Sequence, residues 1–467
     1  MDRNRKGTPA RPRVTQADCL RRALEWFSKD QSFADLKLHG NVKWTTMELV
    51  VLAVLWVWSE HRALTGAFDQ ACSLAQRIFG QVAVTTYQGL TGALRTYTEP
   101  LLPQLWRHLQ RLMEDSANEH WRIGLWLALA VDGSRVTTPR TKSNEQAFSI
   151  KNYGYGRRSK TRSKWKNKKK RSKKLSEPVK PQMWLTLLWH MGLKMPWCWK
   201  TGPSTASERG HLLDLLNTQS FPSNTLFCGD AGFVGYDLWK VILDGGHSFL
   251  IRVGGNVHLL RDLGTTRRRH GLVYLWPNEA ARKKQPPIVL QLIELRGPRG
   301  MIYLVTNILS DRQLTHQQAG QLYRLRWGIE LQFRTFKQTF DRTKLRSPTA
   351  ANAEVELHWS LVGLWLIELF AVREQIKLDR PPDQSSVALA LNIVRDAMRN
   401  WSAAAGPKET LAHQLSNATK DNYERTASSK RARYRPNKKD KPSATKPIIV
   451  KATEHQRRAY QALHHAA

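Results

Sequence analysis

Tyr323, Arg326, Glu330 and Lys337 form a spaced series, Tyr-x2-Arg-x3-Glu-x6-Lys, whose residue types suit phosphoryl-transfer chemistry. A carboxylate can ligate a hard cation, while two cations and a phenolic hydroxyl suit phosphate oxygens. If the segment is one helix, about 100° per residue puts Arg326, Glu330 and Lys337 at roughly −60°, −20° and −40° from Tyr323. All four would then share a face. Leu322, Leu325, Ile329, Phe333, Phe336 and Phe340 fall beside them as a stripe expected to meet a core. The same pattern also describes an ordinary solvated helix face, so its meaning depends on residues elsewhere.

Two aspartates supply that context. Asp132 ends the apolar run Ile123–Val131 and opens Asp-Gly-Ser; Asp230 follows Thr225–Cys228 and opens Asp-Ala-Gly. Each reads as a carboxylate leaving the end of a buried strand at a glycine-containing turn. The separations are 98 residues from Asp132 to Asp230 and 100 from Asp230 to Glu330. Converging carboxylates repel one another unless a cation neutralises them. Oxygen ligands select Mg2+ or Mn2+, and a pair of such ions serves in-line phosphoryl transfer.

The surrounding chain fits that chemistry. Its 467 residues allow more than one domain and a sizeable core. A net charge of +36 calls for a polyanionic partner, nucleic acid or an anionic surface. The apolar run Leu49–Trp58 falls far short of the roughly 18 residues that span a bilayer, so no membrane is expected. It follows Thr45-x-x-Glu48, a capping-box pattern. The charged N-terminus lacks an apolar signal region. Cys19, Cys72, Cys198 and Cys228 are scattered, without the spacing of a disulfide framework or a zinc finger. A reduced, cytoplasmic, nucleic-acid-binding protein is expected.

The elements that would position these residues fall into three segments. Residues 1–118 read as a helical domain suited to DNA binding, with helices at Ala17–Phe27, Met47–Trp58, Ala67–Phe79 and Leu101–Met113. Residues 119–374 read as a mixed α/β catalytic domain. Strands are expected at Ile123–Val131, Met183–Met191, Met195–Trp199, Thr225–Cys228 and Phe249–Val253, and helices after Thr205-x-x-Glu208 and at Tyr236–Leu243. A β-rich insertion at about 254–307 precedes the helix predicted from Thr315 to Asp341. Residues 375–467 read as helical, basic and partly disordered. Two basic runs stand out. Residues 157–174 hold twelve Lys or Arg in eighteen positions, favouring contact with a DNA backbone, and 430–441 lies in a polar tail.

Asp132 in Val-Asp-Gly-Ser, Asp230 in Cys-Gly-Asp-Ala-Gly-Phe, and Leu322–Glu330 running into Lys337 together resemble the bacterial insertion-sequence DDE transposases of the Y-R-E-K group. The resemblance spans about 122–370 and implies an RNase H-like α/β core with a β insertion ahead of the Glu-bearing helix. It implies cut-and-paste transposition within a dimer, acting on double-stranded DNA through a hairpin intermediate. By the resemblance, Asp132, Asp230 and Glu330 are catalytic and hold two Mg2+ or Mn2+ ions, and Tyr323, Arg326 and Lys337 grip phosphates. The family also stacks a flipped base on a tryptophan of the insertion, which points to Trp276. Arg252, on an expected strand, is a further candidate DNA contact. The alternatives are a nuclease or resolvase on the same fold, and a non-catalytic DNA-binding descendant.

Overall fold

Secondary structure follows the apolar patterning closely at the N-terminus and departs from it near the catalytic candidates. A computed structural model describes residues 14–29, 36–149, 180–264, 271–297, 300–421 and 446–465. The chain begins with α1 (Gln16–Ser28), α2 (Thr46–Trp58), α3 (Leu64–Phe79) and α4 (Tyr87–Ala117). Next come β1 (Leu127–Thr137), α5 (Lys142–Phe148), β2 (Gln182–His190), β3 (Met195–Gly202), α6 (Glu208–Thr218), β4 (Thr225–Gly229), α7 (Tyr236–Asp244) and β5 (Ser248–Val253). There follow β6 (His258–Arg261), β7 (Leu272–Leu275), α8 (Asn278–Arg282), β8 (Ile288–Gly297), β9 (Gly300–Thr306), α9 (His316–Leu325) and α10 (Gly328–Arg334). The chain closes with α11 (Ala350–Ile376), α12 (Val387–Arg399), α13 (Leu411–Ser416), β10 (Ile448–Lys451) and α14 (Glu454–His465). Both basic runs, 157–174 and 430–441, lie outside the described residues.

These elements make two compact units: 1–118 with 335–420, and 119–334 with 421–467. The first is helical. Residues 49–58 of α2 are buried on every side, as an all-apolar helix must be. Thr45 caps it by accepting from the Glu48 amide. The Glu48 carboxylate turns away from Thr45 and accepts from the amides of Ala83 and Val84 at 2.7 and 3.0 Å, so the capping box is only half formed. Helix α4 runs 31 residues, through Pro100 and Pro103, beyond the expected Leu101–Met113. Its buried stripe of Leu90, Leu94, Leu101, Leu105, Leu109 and Met113 continues across both prolines. Packing against α11 along that stripe outweighs the lost backbone hydrogen bonds. Among the described residues α11 alone is long and apolar enough to cross a membrane, and 94% of its apolar window is buried within the fold.

The second unit holds a ten-stranded sheet in the order β10-β6-β7-β8-β9-β5-β4-β1-β2-β3. The protein is therefore mixed α/β, with one large sheet and many helices. β1, β4 and β5 are parallel neighbours, while β1-β2-β3 is an antiparallel meander. Apolar residues on both faces of β1, β2 and β4 (Leu127, Ala128, Leu187, Leu188, Phe227 and Cys228 among them) make a doubly covered core. The β-rich segment extends this same sheet, because β9 pairs with β5. Two short strands escape the sequence patterning, β6 and β10; the latter returns from the C-terminal region to pair in parallel with β6.

One close approach is built into this unit. A Cβ at Gly328 would sit 2.7 Å from Cζ3 and 3.2 Å from Cζ2 of the buried Trp189 on β2. Gly328→Ala is expected to cost about 1–3 kcal/mol by overpacking and to lower the melting temperature. An unchanged melting curve would mean that α10 can move off β2 freely.

Candidate active site

The register of the sheet aligns the two aspartates. β1 pairs with β4 from Leu127↔Thr225 to Ala130↔Cys228, an offset of 98 residues. The same offset separates Asp132 from Asp230, so Asp230, one residue past the end of β4, comes to the level of Asp132 on β1. Asp230 sits just past β4, caps the short turn Ala231–Phe233, and accepts from the Gly232 amide at 2.7 Å. Asp132 is not at a strand end: β1 continues to Thr137, with Asp132 opposite Leu187 of β2. The expected Asp-Gly-Ser turn is thus a correction. The antiparallel partner β2 keeps the chain extended after β4 has stopped, which opens a gap on the β4 side of Asp132.

Glu330 reaches the same place from α10, which packs on β1. Asp132 is half-buried, and its Oδ1 accepts from the Gly133 amide at 2.8 Å. Burial is the main reason its carboxyl is pushed up to about 6; the Gly133 amide and Arg326 oppose the rise, while Asp230 and Glu330 add to it. The three carboxylates and Arg326 therefore share one electrostatic environment.

The Tyr-Arg-Glu-Lys series does not lie on one straight helix. α9 ends at Leu325, Arg326 caps it, and Trp327, Ile329 and Glu330 donate to carbonyls three residues back instead of four. After α10 the chain adopts a π-helical turn, Thr335–Thr339. A constant 100° step cannot hold across two such changes of winding. Leu322, Ile329, Phe333, Phe336 and Phe340 are buried as expected, whereas Leu325 is exposed. Tyr323 and Arg326 are buried rather than solvated, at 3% exposure each. Among the described residues, the Tyr323 hydroxyl and Arg326 Nε find no hydrogen-bond partner. Arg326 stacks 5.3 Å from the rings of both Tyr323 and Trp327. Lys337 lies on the π turn, in the first unit, with its amine lowered in pKa by burial.

Trp276 does not present a ring. It is buried, and its Nε1 donates to the Gln285 carbonyl at 2.9 Å. Arg252 is half-buried in β5, opposite Leu304 of β9. The aromatic ring that is half exposed beside Arg326 is Trp327, at 50%. We expect Trp276→Ala to cost about 3–5 kcal/mol of stability as a core truncation. Trp327→Ala should shift stability by no more than about 0.5 kcal/mol yet impair DNA processing. Comparing melting curves with DNA cleavage would check this pair, and the reverse pattern would return the stacking role to Trp276.

One more carboxylate lies near the two aspartates without a motif to mark it in the sequence. Glu208 opens α6, capped by Ser207 rather than Thr205. Its carboxyl is pushed up to about 7 by burial first, then by Asp132 and Asp230, with Arg135 opposing. The signal for it was Gly133, which reads as a turn residue but sits in mid-strand.

The donor set suits a hard divalent cation: oxygen only, partly desolvated and mutually repelling. Among the described residues no three acidic, histidine or cysteine side chains are already drawn around a single point.

Two aspartates at one level beside neighbouring parallel strands, with a glutamate-bearing helix packed on one of them, resemble the arrangement of the DDE class. Residues 127–366 match the family described as the transposase DDE domain, and the chain belongs to that family. It is similar to the transposase InsG of insertion sequence element IS4 from Escherichia coli, at 27% identity over 286 residues. That match covers 59% of this chain and 57% of the relative. A piggyBac transposase synaptic complex with hairpin DNA is a distant likeness: 12% identity and a TM-score of 0.39 over 89% of this chain and 88% of that one.

Proposed function

We propose that this protein is a metal-dependent transposase that cleaves DNA at the ends of its element and joins them to target DNA. The observation that carries the reading is the level placement of Asp132 and Asp230, with the Glu330 helix packed on the same strand. The finer fold reading, an RNase H-like core, is supported by the β3-β2-β1-β4-β5 half of the sheet, an antiparallel meander followed by parallel strands.

Asp132, Asp230 and Glu330 would hold two Mg2+ or Mn2+ ions. Bound there, the ions supply charge neutralisation and activation of the attacking hydroxyl. The protein's own residues do the rest. Arg326 and Tyr323, with unsatisfied buried polar atoms, offer a donor pair to a phosphate beside the cut. Arg252 would add a cation on the same unit, Lys337 is proposed as a phosphate contact in its own right, and Trp327 offers a face to a displaced base. The helical segment 1–118 is proposed to read element ends, and two copies of the chain to hold a pair of ends. A charge of +36 supports backbone-dominated, salt-sensitive binding to double-stranded DNA.

The test is incubation of the full-length protein with DNA carrying the element's ends, followed by denaturing electrophoresis. Cleaved and joined strands that require Mg2+ or Mn2+ are expected. Cleavage without joined products would favour a nuclease or resolvase, and binding without cleavage would favour a non-catalytic descendant.

A further inference from the structure

Gly133 accounts for its own presence in an unexpected way. Side chains alternate across a strand, so a Cβ at 133 would point to the sheet face opposite Asp132. That face carries α6. The added Cβ would strike the Glu208 side chain, 2.7 Å from Cγ and 2.8 Å from Cδ. A Cβ at Gly232 would lie 3.5 Å from Glu208 Oε2 and 3.0 Å from Asp230 Oδ1. The Glu208 carboxylate therefore lies between the strand residue next to Asp132 and the turn that Asp230 caps. It occupies the gap left where β4 ends, against the repulsion of both aspartates.

An acid in the first turn of a helix has an ordinary explanation, since it complements the helix dipole. That explanation accounts neither for a strand left without a side chain at 133 to admit this carboxylate nor for its approach to two others. We propose that Glu208 is a fourth carboxylate of the metal site, reaching it from the far face of the sheet. The proposal rests on the metal-dependent reading above and deepens it. Four carboxylates against two divalent cations balance the charge, whereas the triad alone leaves one positive charge uncompensated by protein acids.

Mn2+ binding to the full-length protein, without DNA, separates the possibilities. The free-ion electron paramagnetic resonance signal would be titrated for the wild type, Glu208→Gln and Asp132→Asn. Glu208→Gln is expected to weaken Mn2+ binding about tenfold or more. It should also raise the melting temperature in EDTA, because one of the repelling charges is gone. Gly133→Ala, which fills the seat of the carboxylate while keeping its charge, should weaken Mn2+ binding as well. Unchanged affinity in Glu208→Gln, with Asp132→Asn impaired, would overturn the role of Glu208 and leave the proposed function standing. Unchanged affinity in both would remove the metal site itself.

Discussion

Replacing Asp132 with Asn is expected to lower DNA strand cleavage about a thousandfold or more, the equivalent of at least ~4 kcal/mol of lost transition-state stabilisation. The substitution keeps the shape of a half-buried side chain and its acceptor to the Gly133 amide, so the fold should persist. DNA binding should persist too. Affinity for a polyanion comes from Lys and Arg, and removing a negative charge from the site does not oppose it. Asp230→Asn and Glu330→Gln should behave alike, because each would remove one oxygen ligand from the proposed metal site and leave the β1–β4 register intact. Cleavage rates beside a gel-shift titration check this. A variant that cleaves within tenfold of the wild type would remove that residue from the site.

Arg326→Ala is the second large effect expected. The proposed phosphate contact would use a buried guanidinium with an unsatisfied Nε, close to Asp132 and stacked on Tyr323 and Trp327. Removing a preorganised charged donor costs about 10²–10³ in rate. The salt dependence of DNA binding should become shallower by about one unit of slope. Mn2+ binding should be retained or tightened, since Arg326 opposes a second cation beside Asp132. That is the reverse of the result expected for Glu208→Gln. Arg326→Lys should recover little, because an ammonium lacks the planar fork. Weakened Mn2+ binding in Arg326→Ala would instead mark Arg326 as a support for the carboxylates.

Much of the fold was legible because its core segments are strongly apolar. α1, α2, β2, β4, β5 and α7 lie within a few residues of where patterning puts them. The alignment of the two aspartates was legible through spacing: the 98 residues between Asp132 and Asp230 equal the offset of the β1–β4 register. What escaped depends on tertiary contact. The extension of β1 beyond Asp132 is imposed by β2, and nothing local in Asp-Gly-Ser separates a strand from a turn. The break at Arg326–Gly328 comes where Gly328 meets Trp189, about 140 residues earlier in the chain, so periodicity alone could not reveal it. Glu208 was hidden because its partners are distant in sequence and the glycine that admits it looks like a turn former. Trp276 and Trp327 were indistinguishable until burial separated them.

Iron-directed cleavage of the polypeptide would locate the bound ion along the chain. Fe2+ substituted for Mg2+ generates hydroxyl radicals with ascorbate and peroxide, and these cut the chain only near the bound ion. A shared metal site gives scission around residues 132, 230 and 330, three places far apart in the sequence, suppressed together by excess Mg2+. Cuts confined to other regions, or none that Mg2+ suppresses, would contradict it.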